Sequence, residues 1–269
     1  MNEKQEKAYK KIDKACENYK YCFDNTHYKN RKMKYLPDWV QHKSQLLKDE
    51  IGAKKRKFKS YPRGTIIYAN LGSNIGSEFS GNHFCITLNK KDNLRMETIT
   101  VIPLSSKHHN SYASLDSSIF DLTSKKLSDN IEKYSAQLKE DRRKLKSESE
   151  KHNKQLNLIS REFRIGRINQ TVKKMRIDSI SKKWEEFSKE FDEVIKKNDR
   201  IIENMEIVNE KFKRHANKKS YANINAITTI SKRRIIRIND QDPTGEIEIS
   251  PEDLKVIDSY IKTKFLSVE

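Results

Sequence analysis

The apolar positions of this chain change their period several times, and each change predicts a different kind of element. Near the start, Ala8, Ile12, Ala15, Tyr19 and Cys22 recur at helical spacing with charged residues between them, which predicts a helix. Residues 25–30 read as a break. Pro37 then suits the first turn of a second helix carrying Trp39, Val40, Leu46, Leu47 and Ile51, with Gly52 at its end. From Tyr61 the character changes. Three short runs rich in β-branched residues, 65–71, 84–88 and 98–104, are separated by Gly/Ser/Asn loops, which predicts a small, mostly antiparallel sheet. The polar, glycine-rich segment 73–81 reads as a long loop between the first two strands.

Beyond residue 121 the helical period returns for almost a hundred residues, with Gly166 as the only glycine and no proline. Ile177, Ile180, Trp184, Phe187, Phe191 and Val194 lead to Asn198, Ile201, Met205, Val208 and Phe212 in alternating steps of three and four, a heptad seam. Asn198 falls on a seam position, where a polar residue fixes register. A weaker seam precedes Gly166, through Ile131, Tyr134, Leu138, Leu145, Leu156, Ile159 and Phe163. Two helices of similar length meeting at Gly166 predict an antiparallel hairpin, a projecting arm whose seam residues are packing. After residue 219 strand-like sequence returns at 221–230 and 234–239, followed by a turn at Asp242-Pro-Thr-Gly245. Ser250 then caps a last helix that has Pro251 in its first turn and Leu254, Ile257, Ile261 and Phe265 on one face. Sheet sequence thus flanks the arm on both sides. The expected fold is α+β: a helical extension with a basic linker over 1–60, the first half of a β domain over 61–120, a coiled-coil insertion over 121–217, and the second half with a C-terminal helix over 218–269.

Composition sharpens this picture. Only 34% of the 269 residues are hydrophobic and 35% are charged, so one core cannot run through the whole length. The formal net charge of +18 points to a polyanionic partner, RNA or DNA, with a merely solvated basic surface as the alternative. The run Lys54, Lys55, Arg56, Lys57 and Lys59 grips phosphates in the first case and is a linker in the second. No apolar run approaches the roughly 20 residues of a membrane span. The polar N-terminus lacks the apolar core of a secretion signal, and Cys16, Cys22 and Cys85 show no C-x-x-C spacing. The expectation is a cytoplasmic protein with no metal site and no cofactor.

The stretch Arg63-Gly64-Thr65-Ile66-Ile67-Tyr68, followed by Gly76-Ser77-Glu78 and Gly81, resembles the PemK/MazF toxins. Their opening strand reads roughly Arg-Gly-Asp-Val-Tyr and leads into a Gly-Ser-Glu-Gln-x-Gly-x-Arg-Pro loop. Ile99-Thr-Val-Ile-Pro-Leu-Ser105 is similar to that family's third strand, and Ile227-Thr-Thr-Ile-Ser-Lys-Arg-Arg-Ile235 with the last helix is similar to its C-terminal part. The arm and the N-terminal helices lie outside the pattern. The resemblance implies a small SH3-like barrel, working as a homodimer, that cleaves single-stranded RNA without a metal and is held in check by an antitoxin protein.

Such chemistry needs a group to take the 2′-OH proton, one to protonate the 5′-oxygen, and donors for the charged phosphorane. By resemblance Ser105 matches the family's Thr or Ser at the end of the third strand. The loop Arg is missing: His83 stands at its position, with Phe84 where Pro is usual. The candidate catalytic set is therefore His83, Ser105 and Glu78, since an imidazole titrates near neutral pH. Arg63, Ser77, Asn82 and Lys107 are the candidate RNA-binding residues. Four of them have a plainer reading: His83 packs beside the loop, Glu78 orders it, and Ser77 and Asn82 satisfy turn amides. Two rivals to the ribonuclease share the fold: a binding protein that does not cut RNA, and a CcdB-like protein that targets another protein.

Overall fold

In a computed structural model, residues 2–27, 30–51, 57–116 and 119–266 are described. The chain divides into two units. One comprises residues 1–119, 218–237 and 243–269; the other comprises 120–217 and 238–242. The Gly52 helix end and most of the basic run, Lys54 to Arg56, fall outside the described residues.

The first unit holds the sheet. Strands β1 (Thr65–Asn70), β2 (Asn82–Thr87) and β3 (Thr98–Ser105) form an antiparallel meander, as their β-branched runs require. Strand β4 (Ala113–Leu115) precedes the arm; β5 (Ser220–Ala222), β6 (Thr228–Ser231) and β7 (Ile247–Glu248) follow it. The order is β4-β5-β3-β2-β1-β7, with β6 also on β3, so chain from before and after the arm alternates within one curled half-barrel. Two expected strands come out differently. The run 221–230 is broken by a 3-10 turn at Ile224–Ala226, because the Asn223 side chain accepts a hydrogen bond from the Asn225 N–H and caps that turn. Of the run 234–239, only an isolated bridge pairs Ile235 with Ala69; a 3-10 turn at Lys232–Arg234 leads into it.

Ile67, Ala69, Leu71, Cys85, Ile99, Val101 and Ile230 point to one face and form a dry cluster with Tyr61. The alternate residues Ile66, Phe84, Ile86 and Ile102 are buried as well, which is why these strands lack a polar stripe. One ion pair closes the split sheet. Lys232, after the arm, and Asp92, before it, are each 1% exposed and meet at 2.8 Å. The same ammonium donates to the carbonyls of Lys59 and Asn93, and Asp92 accepts from the Tyr61 N–H. Helix α6 (Pro251–Phe265) starts as its sequence foretells: Ser250 Oγ accepts from the Asp253 N–H at 3.1 Å.

Of the N-terminal helices α1 (Glu3–Asp24), α2 (Arg31–Lys34) and α3 (Leu36–Glu50), the last two meet the 71–81 loop, and α1 packs on them. Ser73 Oγ donates to the Lys32 carbonyl and Lys32 Nζ donates to the Gly76 carbonyl, each at 3.2 Å. The indole of Trp39 lies over Gly72, whose φ is +85° and where a Cβ would come within 2.6 Å of the ring. Gly72→Ala therefore meets both a forbidden backbone region and a fixed aromatic ring. We expect it to destabilise this unit by about 1–3 kcal/mol, read as a lowered unfolding midpoint, with an unchanged midpoint contradicting this packing.

The second unit is a helical hairpin of α4 (Ile119–Arg164) and α5 (Gln170–Lys213), turning at Gly166 with φ +74°. Phe212, Val208, Met205 and Leu127 are buried at the base. Asn209 is also buried there, bridging Ser124 and Ser128. The expected seam is not followed throughout: in α5 Val194 is 43% exposed whereas the neighbouring Ile195 is partly buried, and in α4 Tyr134 and Phe163 are exposed. Among the described residues no helix is long and apolar enough to cross a membrane.

Candidate active site

The loop between β1 and β2 is built to hold one shape. Its neck is pinned by hydrogen bonds from the Leu71 N–H to the Gly81 carbonyl and from the Gly81 N–H to the Gly72 carbonyl, at 2.8 and 2.6 Å. Inside it, Asn74 Nδ2 donates to the carbonyls of Leu71 and Phe79, and the Asn74 N–H donates to Ser80 Oγ. Preorganisation of this kind is what a site needs to fix polar groups around a ligand.

Under the loop lies a cavity of about 700 Å³. Its walls include Ser77 and Glu78 from the loop, Pro103 from β3, Asn223 and Thr228 from the returning chain, and Arg234. A second cavity, of about 600 Å³, lies on the side of the loop that faces α3 and shares Glu78 and Arg234. Arg234 thus stands between the two. Its Nε donates to the Asn70 carbonyl at 2.8 Å, and its guanidinium lies 4.8 Å from the Trp39 ring centre. Burial lowers its pKa from the usual arginine value; it stays a cation at any working pH.

His83 sits at the edge of this region, partly buried, with the Phe79 ring 4.8 Å away. Its Nε2 is 3.0 Å from the Ser80 carbonyl. The β2–β3 pairing ends with Cys85 opposite Pro103; beyond it His83 pairs with Ala69 of β1 and Ser105 with Tyr221 of β5. Burial lowers the His83 pKa and outweighs the backbone hydrogen bonds at Ser80 and Leu104, which raise it. The imidazole is therefore neutral near pH 7, and with Nε2 donating to Ser80 the lone pair is on Nδ1.

The other candidates fall in different places. Ser105 Oγ accepts from the Lys107 N–H at 3.0 Å and is within 3.3 Å of the Lys107 carbonyl, so the hydroxyl is tied to its own turn. Asn82 and Lys107 are exposed, and Asn82 opposes Asn70 at the loop end of β1. Arg63 is at the other end of β1, donating to the Leu88 carbonyl and pairing with Asp258 of α6. Ser77 and Glu78 share the cavity; Arg63 does not. Burial pushes the thiol of Cys85 far up, so it stays protonated. Among the described residues no three His, Cys, Asp or Glu side chains gather as metal ligands.

Arg234 and Asn223 are the residues that sequence reasoning left out of the site. Both lie more than a hundred positions from the loop they face. The one signal pointing to them was the basic triplet Lys232, Arg233 and Arg234 beside a strand-like run. Set against known proteins, residues 62–187 match the family described as PemK-like, MazF-like toxin of type II toxin–antitoxin system. No curated protein matches the chain. The match begins at the turn into β1 and runs through α4 into α5, and across it the chain carries a toxin domain of the PemK/MazF family.

Proposed function

We propose that this protein is a toxin-type endoribonuclease that cuts single-stranded RNA by 2′-OH transesterification in the cavity under the 71–81 loop. PemK/MazF membership supports endoribonuclease activity in general terms. The observation that carries the finer reading is the partly buried His83, its pKa lowered by burial, packed against Phe79 in the wall of a polar cavity that presents Arg234. Nδ1 of His83 takes the 2′-OH proton as the 2′-oxygen bonds to phosphorus. The bond from phosphorus to the 5′-oxygen breaks, and that oxygen leaves as a 5′-OH after gaining a proton. The other product carries a 2′,3′-cyclic phosphate. Arg234 supplies the cation that the loop lacks, opposing charge on the phosphorane. Ser105 and the loop N–H groups act as donors, the His83 imidazolium gives up the proton it took so that the departing 5′-oxygen is protonated, Glu78 relays that proton, and Ser77, Asn82 and Lys107 hold the strand. No metal takes part. The protein works as a cytoplasmic homodimer and is neutralised by an antitoxin.

This reading is tested with an RNA carrying a single 2′-deoxynucleotide at the position of cleavage. Removing that hydroxyl should abolish cutting there while binding persists. Cutting that continues at the deoxy position would end the transesterification reading. Its competitor, an RNA-binding protein without the chemistry, draws support from the Ser105 hydroxyl being tied into its own turn.

A further inference from the structure

Formal charge is spread very unevenly along the chain. Residues 1–60 carry +9 and the arm, 119–216, carries +7, while the sheet-forming segments 61–118 and 217–269 together carry only +2. The sheet itself is therefore almost neutral, and the cations able to supply the long-range attraction that nucleic-acid binding normally uses lie outside it, on the N-terminal segment and on the arm. Within the arm the asymmetry is sharper still. Residues 151–177, around the Gly166 turn, hold eight basic side chains and one acidic one, whereas the remainder of the arm balances to zero.

That single acid is already engaged: Glu162 pairs with Arg176 at 2.7 Å. Lys151 pairs with Glu148, and Lys173 lies 4.3 Å over the Phe163 ring. Lys154, Arg161, Arg164, Arg167 and Lys174 are exposed, and no ion pair among the described residues involves them. Folding does not explain the cluster. Arg161 and Arg164 suit the end of α4, where cations oppose the helix dipole. Lys173 and Lys174 do the reverse, lying just inside the start of α5, whose first turn has no acidic residue. Like charges gathered against the dipole and away from any core cost stability, and an external polyanion removes that cost.

We propose that the end of the arm around Gly166 is a second RNA-binding site, gripping the phosphate backbone without regard to sequence. It is distinct from the cavity under the 71–81 loop, and the choice of RNA over other polyanions rests on the ribonuclease reading of the toxin domain. The sheet domain then cuts what the charged end of the arm gathers.

The test uses the full chain in a His83→Ala background, so that binding is read without cleavage. One variant carries Arg161→Gln, Arg164→Gln, Arg167→Gln and Lys174→Gln. A control neutralises four exposed lysines elsewhere on the arm, Lys182, Lys183, Lys196 and Lys197. Affinity for a long mixed-sequence RNA should fall at least about tenfold in the first variant, and the slope of log affinity on log salt should shrink by about 3. The control should change little. An Arg→Lys version of the three arginines should bind as the parent does, since charge rather than shape is used. Equal RNA affinity in the tip variant and the parent overturns the proposal. So does a tip variant that keeps RNA affinity yet no longer binds phosphatidylserine vesicles, which would assign the exposed Ile165 and Met175 beside the cations to a lipid surface. If the protein with His83 intact leaves RNA uncut while the tip variant still loses RNA binding, the ribonuclease reading falls and the arm site stands.

Discussion

Lys232→Ala should unfold the sheet unit at markedly lower temperature or denaturant, a loss of about 3–5 kcal/mol. The substitution leaves the Asp92 carboxylate, 1% exposed, with its charge unpaired in the interior, and strips the carbonyls of Lys59 and Asn93 of their donor. The penalty comes from breaking the pair more than from the worth of the pair. Lys232→Met with Asp92→Leu should therefore recover a large part of what either change loses, giving a coupling of about 2 kcal/mol or more in a double-mutant cycle. The position matters because Lys232 lies on chain that returns to the sheet only after the hundred-residue arm, and its partners at Lys59, Tyr61 and Asp92 all precede it. A loss under 1 kcal/mol in the Lys232→Ala protein would mean this contact does not hold the two halves together.

His83→Ala should slow RNA cleavage by about a hundredfold to ten-thousandfold, the range for losing a general base. The pH profile should carry the same mark. Burial holds the imidazole below its ordinary pKa, so the base is already free at neutral pH and the rate should fall only as pH drops below the usual histidine range. Stability should follow the same sign. Below the unfolded pKa of about 6.5 the unfolded chain binds a proton that folded His83 resists, so stability is full above that pH and declines as pH falls through the folded pKa. His83→Ala should flatten this slope. A variant that keeps cleavage within tenfold of the parent would remove His83 from the chemistry.

The sequence showed the local features well. β-Branched runs located β1 to β3 to within two residues, and the Ser250-Pro251 start of α6 was readable because a cap is a contact between near neighbours. Features made by distant neighbours were not readable. The two-residue strand β7 exists because Thr65 and Ile66 pair with Glu248 and Ile247 across most of the chain. The run 221–230 looked like one strand because propensity does not register that Asn223 caps a turn in its middle. Asn198 followed the heptad count, yet one step earlier the half-buried position is Ile195 rather than Val194, since a straight helix drifts from a strict seven-residue repeat. The site divides the same way. Ser77, Glu78 and His83 could be proposed from one loop and the strand after it, whereas Arg234 reaches the cavity only through the path of the folded chain. Arg63, prominent in the opening motif, is held by Asp258 at the far end of β1.

The central claim is tested most directly by incubating the purified protein with mixed-sequence single-stranded RNA in excess EDTA and determining the chemistry of the new ends. Discrete fragments bearing 2′,3′-cyclic phosphate and 5′-OH are expected. RNA that stays intact while shifting in a gel, or fragments that form only when a divalent cation is restored, would contradict it.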